Sequence, residues 1–235
     1  MEPSNGHPTV SVLVPALNEQ DTLREVIERL LALPISAEVI VIDDGSTDGT
    51  PAILAEFAGK IKVITNTHKS GKGKSIRNGL LVAEGEYVVI QDADLEYLPE
   101  QIAELLVPLQ SGQSQIVYGT RFSNGFPSGM AIPNKIINKL LAWMTRLLYG
   151  QKITDEATCY KALSLTLVQQ MELECTGFEF CPEVTAKASR LGQTILEVPI
   201  SYIPRNKQAG KKIRWTDAPI AIWTLAKYRF WKPSR

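Results

Sequence analysis

Three carboxylates crowd into five positions at Asp92, Asp94 and Glu96, directly behind the apolar run Val88-Val89-Ile90. Charges of one sign packed that closely repel, so such a cluster at the end of a buried strand requires either open solvent or a cation. Asp92 and Asp94 flank Ala93, and in extended chain residues two apart point to the same side. Both carboxylates then face one point, with Glu96 reaching in from the turn. An all-oxygen set without His or Cys suits Mg2+ or Mn2+, which keep waters and bridge to phosphate oxygens. The alternative is a solvated strand end that leads into a helix.

Two further polar clusters follow apolar runs in the same way. Asn18 and Glu19 come after Val10–Pro15, and Asp43-Asp44-Gly45-Ser46-Thr47-Asp48 comes after Val39–Ile42. An Asp just beyond a strand accepts hydrogen bonds from ribose hydroxyls or a base N–H, and Gly45 lets a ligand approach the backbone closely. Taken alone, the same residues also make an Asx-type turn in which Asp48 caps the next helix. Between Lys60 and Arg77 there are six basic residues and no acid, a charge suited to a nucleoside diphosphate. SGKGKS (70–75) looks like a phosphate-binding P-loop, but that motif needs a glycine five positions before Gly73, where His68 stands.

These clusters need a scaffold that ends its strands on one edge. TVSVLVPAL, AEVIVID, KVITN, GEYVVIQD and QIVYGTRF are apolar, β-branched stretches separated by helical periodicities in 19–33, 75–83 and 98–110. Uninterrupted apolar strands alternating with helices predict an α/β fold with a mostly parallel sheet covered on both faces. Ligands of such sheets sit at the carboxyl ends of the strands. Beyond residue 130 the pattern loosens. A helix over 130–150 carries Ile137, Leu140, Leu141, Met144, Leu147 and Leu148 on one side, with Trp143, Lys139 and Arg146 off that stripe. A helix near 182–191, the strand TILEVPISYIP and a helix over about 216–231 follow. The last mixes Trp and Tyr with Lys and Arg, as interfacial helices do.

Formal charge is zero over 235 residues, yet from residue 200 on nine Lys and Arg face one acid, Asp217. That asymmetry predicts a C-terminal segment that meets an anion. Three cysteines without CxxC spacing and two histidines argue against a zinc cluster and for a reduced, cytosolic setting. The opening MEPSNGHPTV is not a signal peptide, and no uncharged apolar run approaches the ~18–20 residues of a membrane span. The chain is expected to lie on a bilayer rather than cross one.

VPALNE, VIDDGSTDGT, GKGKSIRNGL, QDADLEYLPE and GTRF together resemble the family 2 glycosyltransferases, whose fold is the Rossmann-like GT-A sheet with helices on both faces. ITDEATCYKA, GFEFCPEVTAK, ILEVPISYIPR and GKKIRWTDA resemble more narrowly the dolichyl- or polyprenyl-phosphate mannose or glucose synthases. The resemblance spans roughly residues 9–230. It implies one GT-A domain over 1–235, with a nucleotide-sugar half at 1–125 and an acceptor- and membrane-facing, C-terminally amphipathic part at 126–235. By resemblance, Pro15, Asn18, Glu19, Asp44 and Ser46 line the nucleoside of a GDP- or UDP-linked sugar, with Asp43 and Lys74 as neighbours. Asp92, Asp94 and Glu96 hold Mg2+ or Mn2+ against the pyrophosphate, although many relatives have Gln where Glu96 stands.

The implied reaction is an inverting transfer of mannose or glucose to a polyprenyl phosphate. A lipid phosphate is already anionic near pH 7, so it needs capture rather than deprotonation. Arg121, Arg205, Lys211 and Lys212 are the residues expected to do this. Asp155 and Glu179 resemble family positions near the acceptor. As bases they matter more for a hydroxyl acceptor; otherwise they cap a helix or pair with a lysine. Two other readings remain open: transfer to a soluble glycan or protein hydroxyl, and a nucleotide-sugar-binding module without turnover. The expected location is the cytoplasmic face of a membrane, reached through helices near 134–149 and 216–231 or through a membrane-anchored partner. No nucleic-acid partner is expected.

Overall fold

A computed structural model describes residues 8–123, 125–127, 130–203 and 218–233. Its centre is a seven-stranded sheet in the order β3-β2-β1-β4-β6-β5-β7. β1 (Val10–Ala16) pairs in parallel with β2 (Ala37–Asp43) on one side and β4 (Tyr87–Ile90) on the other. β3 (Lys62–Thr65) extends the sheet in parallel beyond β2. Edge strand β3 leaves Val63 and Thr65 exposed, whereas β1, β2 and β4 are largely buried on both faces because α1 (Leu23–Leu31), α2 (Thr50–Glu56), α3 (Lys72–Leu80) and α4 (Ile102–Gln110) cover the sheet. This matches their uninterrupted apolar sequences.

Register decides where the polar clusters end up. Ala16 lies opposite Asp43, and Asp43 opposite Thr65. The Asp44 N–H donates to Ala16 O at 2.8 Å, and the Gln91 N–H to Leu13 O at 3.0 Å. The segments after β1, β2, β3 and β4 therefore leave the sheet along one edge.

The second half of the sheet departs from a simple alternation. β6 (Lys161–Ser164), inside the ITDEATCYKALS stretch that sequence periodicity does not assign, enters antiparallel between β4 and β5 (Ile116–Thr120). β7 (Leu196–Pro199) then pairs in parallel with β5. The consequence is that the turn before β6, which carries Asp155, is drawn against the end of β5, which carries Arg121.

α5 (Ile132–Tyr149), α7 (Phe180–Arg190) and α8 (Ala218–Lys227) form a second, smaller core around Leu141, Ala186, Leu225 and Tyr228. α6 (Leu165–Gln170) is a short helix behind β6. On α5 the buried side is Ile137, Leu141, Met144 and Leu148. Leu140 and Leu147, expected on that side, instead lie 37% and 66% exposed with Ile132, Ile136 and Trp143. At about 100° per residue the two rows diverge, and the packed helices can cover only one of them. Among the described residues no helix is long and apolar enough to cross a membrane.

Candidate active site

The β1 and β2 loops hold each other. Asn18 sits at φ 53°, and its backbone N–H donates to Ser46 Oγ at 2.9 Å while its Oδ1 accepts the Thr47 N–H at 2.8 Å. The Glu19 N–H donates to Thr50 Oγ1, and Asp43 Oδ1 accepts the Ser46 N–H, both at 2.9 Å. Pro15 is half-buried at the end of β1. Asp44 reaches across to the next loop: Oδ1 accepts from Asn66 Nδ2 (2.8 Å) and the Ser70 N–H (2.9 Å), and Oδ2 accepts the Gly71 N–H (2.8 Å). A buried carboxylate with three donors is satisfied without a counter-ion. Asp44 thereby fixes the start of α3, where Gly71 has φ +95° and an added Cβ would lie 2.3 Å from Thr176 O.

That placement brings Lys72 to Asp92. The Lys72 ammonium donates to Asp92 Oδ1, with both side chains largely buried. Burial works against the lysine's charge, but Asp92 and Cys159 outweigh it and hold the ammonium well above the ordinary lysine range. Asp94 Oδ1 accepts the Glu96 N–H at 3.1 Å, while Glu96 O accepts the Ile203 N–H at 3.0 Å. The Gln91 amide ties this turn down, donating to Asp92 O and Tyr97 O at 3.1 and 3.0 Å. Behind it, Tyr97 stacks on Tyr160 with ring centroids 5.2 Å apart.

Asp92, Asp94 and Glu96 are adjacent but do not close into a cage. Among the described residues no three His, Cys, Asp or Glu side chains gather in a metal-holding arrangement. The donor chemistry still fits a hard divalent ion, because Mg2+ needs only one or two carboxylates beside water and substrate phosphates. The Lys72 ammonium stands in for such a cation at Asp92, an electrostatic sign that this carboxylate is built to face positive charge.

Arg121, at the end of β5, makes a fork to Asp155: Nε to Oδ2 at 2.7 Å and Nη2 to Oδ1 at 2.6 Å, with the Arg121 N–H also on Oδ2 at 3.0 Å. Its guanidinium lies 5.1 and 5.2 Å from the Phe122 and Tyr202 ring centres. Asp155 is fully buried, so the structure places it as the partner of Arg121 rather than as an exposed base. Glu197 of β7 mounts the turn, accepting the backbone N–H groups of Thr154 and Asp155 at 2.9 Å. Glu179 Oε1 accepts the Thr176 and Gly177 N–H groups at 2.7 and 2.9 Å. Burial tends to raise its pKa, but these backbone donors prevail and lower it. Asp155 thus pairs with an arginine rather than a lysine, and Glu179 holds its own loop without a side-chain bond to the helix it precedes.

Lys74 is half-buried on α3, with its backbone N–H on Thr176 O at 3.1 Å. Arg205, Lys211 and Lys212 lie outside the described residues. Sequence reasoning did not single out Lys72, although it lay within the basic SGKGKS run. It missed Asn66 and Glu197 altogether, since a lone Asn after a strand and a lone Glu within one carry no local signal.

The arrangement, carboxylates and a lysine at the carboxyl edge of a largely parallel sheet, suits a ligand that carries phosphates. The glycosyl transferase family 2 model matches residues 11–170, from β1 through α6. The chain belongs to this family. It is 30% identical over 200 residues to a dolichol-phosphate mannosyltransferase of Pyrococcus furiosus, covering 82% of this chain and 56% of the relative. To a polyprenol monophosphomannose synthase of Mycolicibacterium smegmatis it is 27% identical over 241 residues, covering 95% and 91%. Several relatives are longer: the chain spans 49%, 63% and 56% of the length of three of them. In fold it is similar to glucosyl-3-phosphoglycerate synthase of Mycobacterium tuberculosis, crystallised with Mn2+, uridine diphosphate and phosphoglyceric acid. The TM-score is 0.73 at 24% identity, covering 97% of this chain and 81% of that one. The sheet is thus a GT-A sheet, as the motifs implied.

Proposed function

We propose that this chain transfers a hexose from a UDP- or GDP-linked donor to a polyprenyl phosphate presented at a membrane surface. The observation that carries this reading is the outer row of α5. Ile132, Ile136, Leu140, Trp143 and Leu147 are exposed along one side of the helix. The charged residues of α5 are Lys135, Lys139 and Arg146, with no acid among them. An apolar stripe flanked only by cations suits the boundary between acyl chains and anionic headgroups. Exposed Ile220 and Trp223 on α8, which packs on α5, add to it. The stripe is linked to the candidate site through rings: Phe122, beside Arg121, packs on Phe126 at 4.6 Å, and Lys139 Nζ lies 5.6 Å from the Phe126 ring centre.

On this reading Asn18, Ser46 and the Asp44-held loop receive the nucleoside, with Pro15, Glu19, Asp43 and Lys74 around them. Asp92 and Asp94 would hold Mg2+ or Mn2+, with Glu96 at the rim. The ion would supply charge stabilisation for the departing nucleoside diphosphate. Lys72, paired with Asp92, would be free to meet the diphosphate once a cation occupied that carboxylate. Arg121, oriented by Asp155 and in turn by Glu197, meets the acceptor phosphate, with Arg205, Lys211 and Lys212 as further cations. An anionic phosphate oxygen attacks the anomeric carbon from the face opposite the leaving group, so configuration inverts and no general base is required. Relatives named for dolichol- and polyprenol-phosphate mannose synthesis support the acceptor class.

A second reading, transfer to a small phosphorylated acceptor, is favoured by the solved structure that contains phosphoglyceric acid. One assay separates them: nucleoside-diphosphate release from UDP-glucose or GDP-mannose with Mn2+. Polyprenyl phosphate in anionic vesicles is compared with phosphoglyceric acid in solution. Release with the vesicles alone is expected. Release with phosphoglyceric acid alone would overturn the lipid acceptor.

A further inference from the structure

We propose that Cys159 and Cys181 form a reversible oxidation site, a thiol pair that a peroxide closes to a disulfide beside Lys72. The sulfurs are 3.8 Å apart across 22 residues of chain, and both side chains are buried, with 4% and 5% residual exposure. Cys159 lies on the segment between Asp155 and β6, Cys181 in the first turn of α7. Cys181 Sγ also sits 3.3 Å from Thr158 O. The third thiol, Cys175, is also buried, and burial first and Glu183 second push its pKa up.

The reactive form of a thiol is the thiolate. Cys159 has two neighbours that favour it, the Cys181 hydrogen bond and the Lys72 ammonium, and these prevail over burial. The Cys159 thiolate attacks one oxygen of hydrogen peroxide, the O–O bond breaks, and hydroxide leaves as water after taking a proton. This gives a sulfenic acid on Cys159. The Cys181 sulfur attacks that sulfur, the S–O bond breaks, and a second water carries off the Cys181 proton. Two thiols are oxidised and one peroxide is reduced to two waters.

Closure has a consequence for the site. An S–S bond is ~2.05 Å long, so the sulfurs must approach by well over an ångström, and the part of that movement taken by Cys159 shifts it relative to Lys72. Cys159 is also only four residues from Asp155. Displacements of that size in a positioned site reduce turnover up to about a hundredfold. This part rests on the transferase reading; the thiol chemistry does not.

The test uses the whole chain, reduced, freed of reductant and exposed to hydrogen peroxide without denaturant. Thiols are counted after unfolding and peptides are mapped by mass. The expected result is a fall from three free thiols to one, with a Cys159–Cys181 cross-linked peptide two hydrogens lighter, all restored by dithiothreitol. Three persisting thiols, a cross-link through Cys175, or oxidation that dithiothreitol does not reverse would overturn the proposal. Hexosyl transfer should fall roughly tenfold or more with the cross-link and recover with reductant. In Cys181→Ser the Cys159 sulfenic acid has no thiol to resolve it, so peroxide should give no cross-linked peptide; a cross-link in that variant would overturn the pairing. Unaltered transfer in a fully cross-linked sample would overturn the coupling to the site. Absence of transfer before oxidation would instead remove the transferase reading and leave the thiol result standing.

Discussion

Replacing Asp155 with Asn tests the pairing on which the proposed acceptor side of the site depends. Asp155 is fully buried and Arg121 keeps only 11% of its side-chain surface exposed, so neither charge has bulk water to fall back on. The carboxylate accepts three donors, two from the guanidinium and one from the Arg121 backbone. Breaking a buried pair by neutralising one partner costs about 3–5 kcal/mol, because the other charge is left uncompensated. Asn retains one acceptor, which favours the lower end. For a chain of this size about 3 kcal/mol corresponds to a fall in Tm of roughly 6–12 °C. Thermal and urea unfolding of Asp155→Asn measure the loss directly. The double variant Arg121→Met/Asp155→Leu should recover much of it, since no lone charge remains. If Asp155→Asn melts within about 2 °C of the parent, the fork is not a structural pair and Asp155 is free to act as a base.

Three other perturbations follow from the same geometry. Asp94→Ala should abolish Mn2+-dependent turnover by about a hundredfold or more while leaving Tm nearly unchanged, and retained Mn2+ stimulation would remove Asp94 from the ion's seat. Gly71→Ala forces a Cβ to within 2.3 Å of Thr176 O at φ +95°, and should cost about 2 kcal/mol or more in denaturant unfolding. A melt equal to the parent's would show that the loop is not held there. Glu156, raised to about 7 first by burial, has a folded pKa above its ordinary value, and its Oε2 has no hydrogen-bond partner. Its contribution to stability is therefore full below the usual carboxylate range and is lost as pH rises through about 7. Glu156→Gln should flatten that decline when unfolding is followed from pH 5 to pH 8, and an unchanged slope would assign it to another group.

Much of the β1–β4 half of the site was legible in the linear order. The strands β1, β2 and β4 are continuous apolar runs, and a residue that follows such a run must leave the sheet at its carboxyl edge. That local rule is enough to bring Asn18, Asp44 and Asp92 to one side without knowledge of any long-range contact. The motifs then point to the family for the same reason, because each is a short segment tied to one strand end.

The partners of those residues needed the tertiary structure. Whether Asp92 meets a water or the Lys72 ammonium depends on a loop pinned from Asp44, 28 residues from Lys72 in the chain. Arg121 and Asp155 meet because β6 runs antiparallel between β4 and β5, an insertion that no periodicity in ITDEATCYKALS announces. The α5 stripe shows the same limit. A helical period marks apolar positions, but only packing against α7 and α8 buries Leu141 and leaves Trp143 and Leu147 outside. Strand-end position is a property of neighbouring residues and can be read along the chain. Charge pairing and burial are set by segments far apart in sequence, and only the folded packing chooses them.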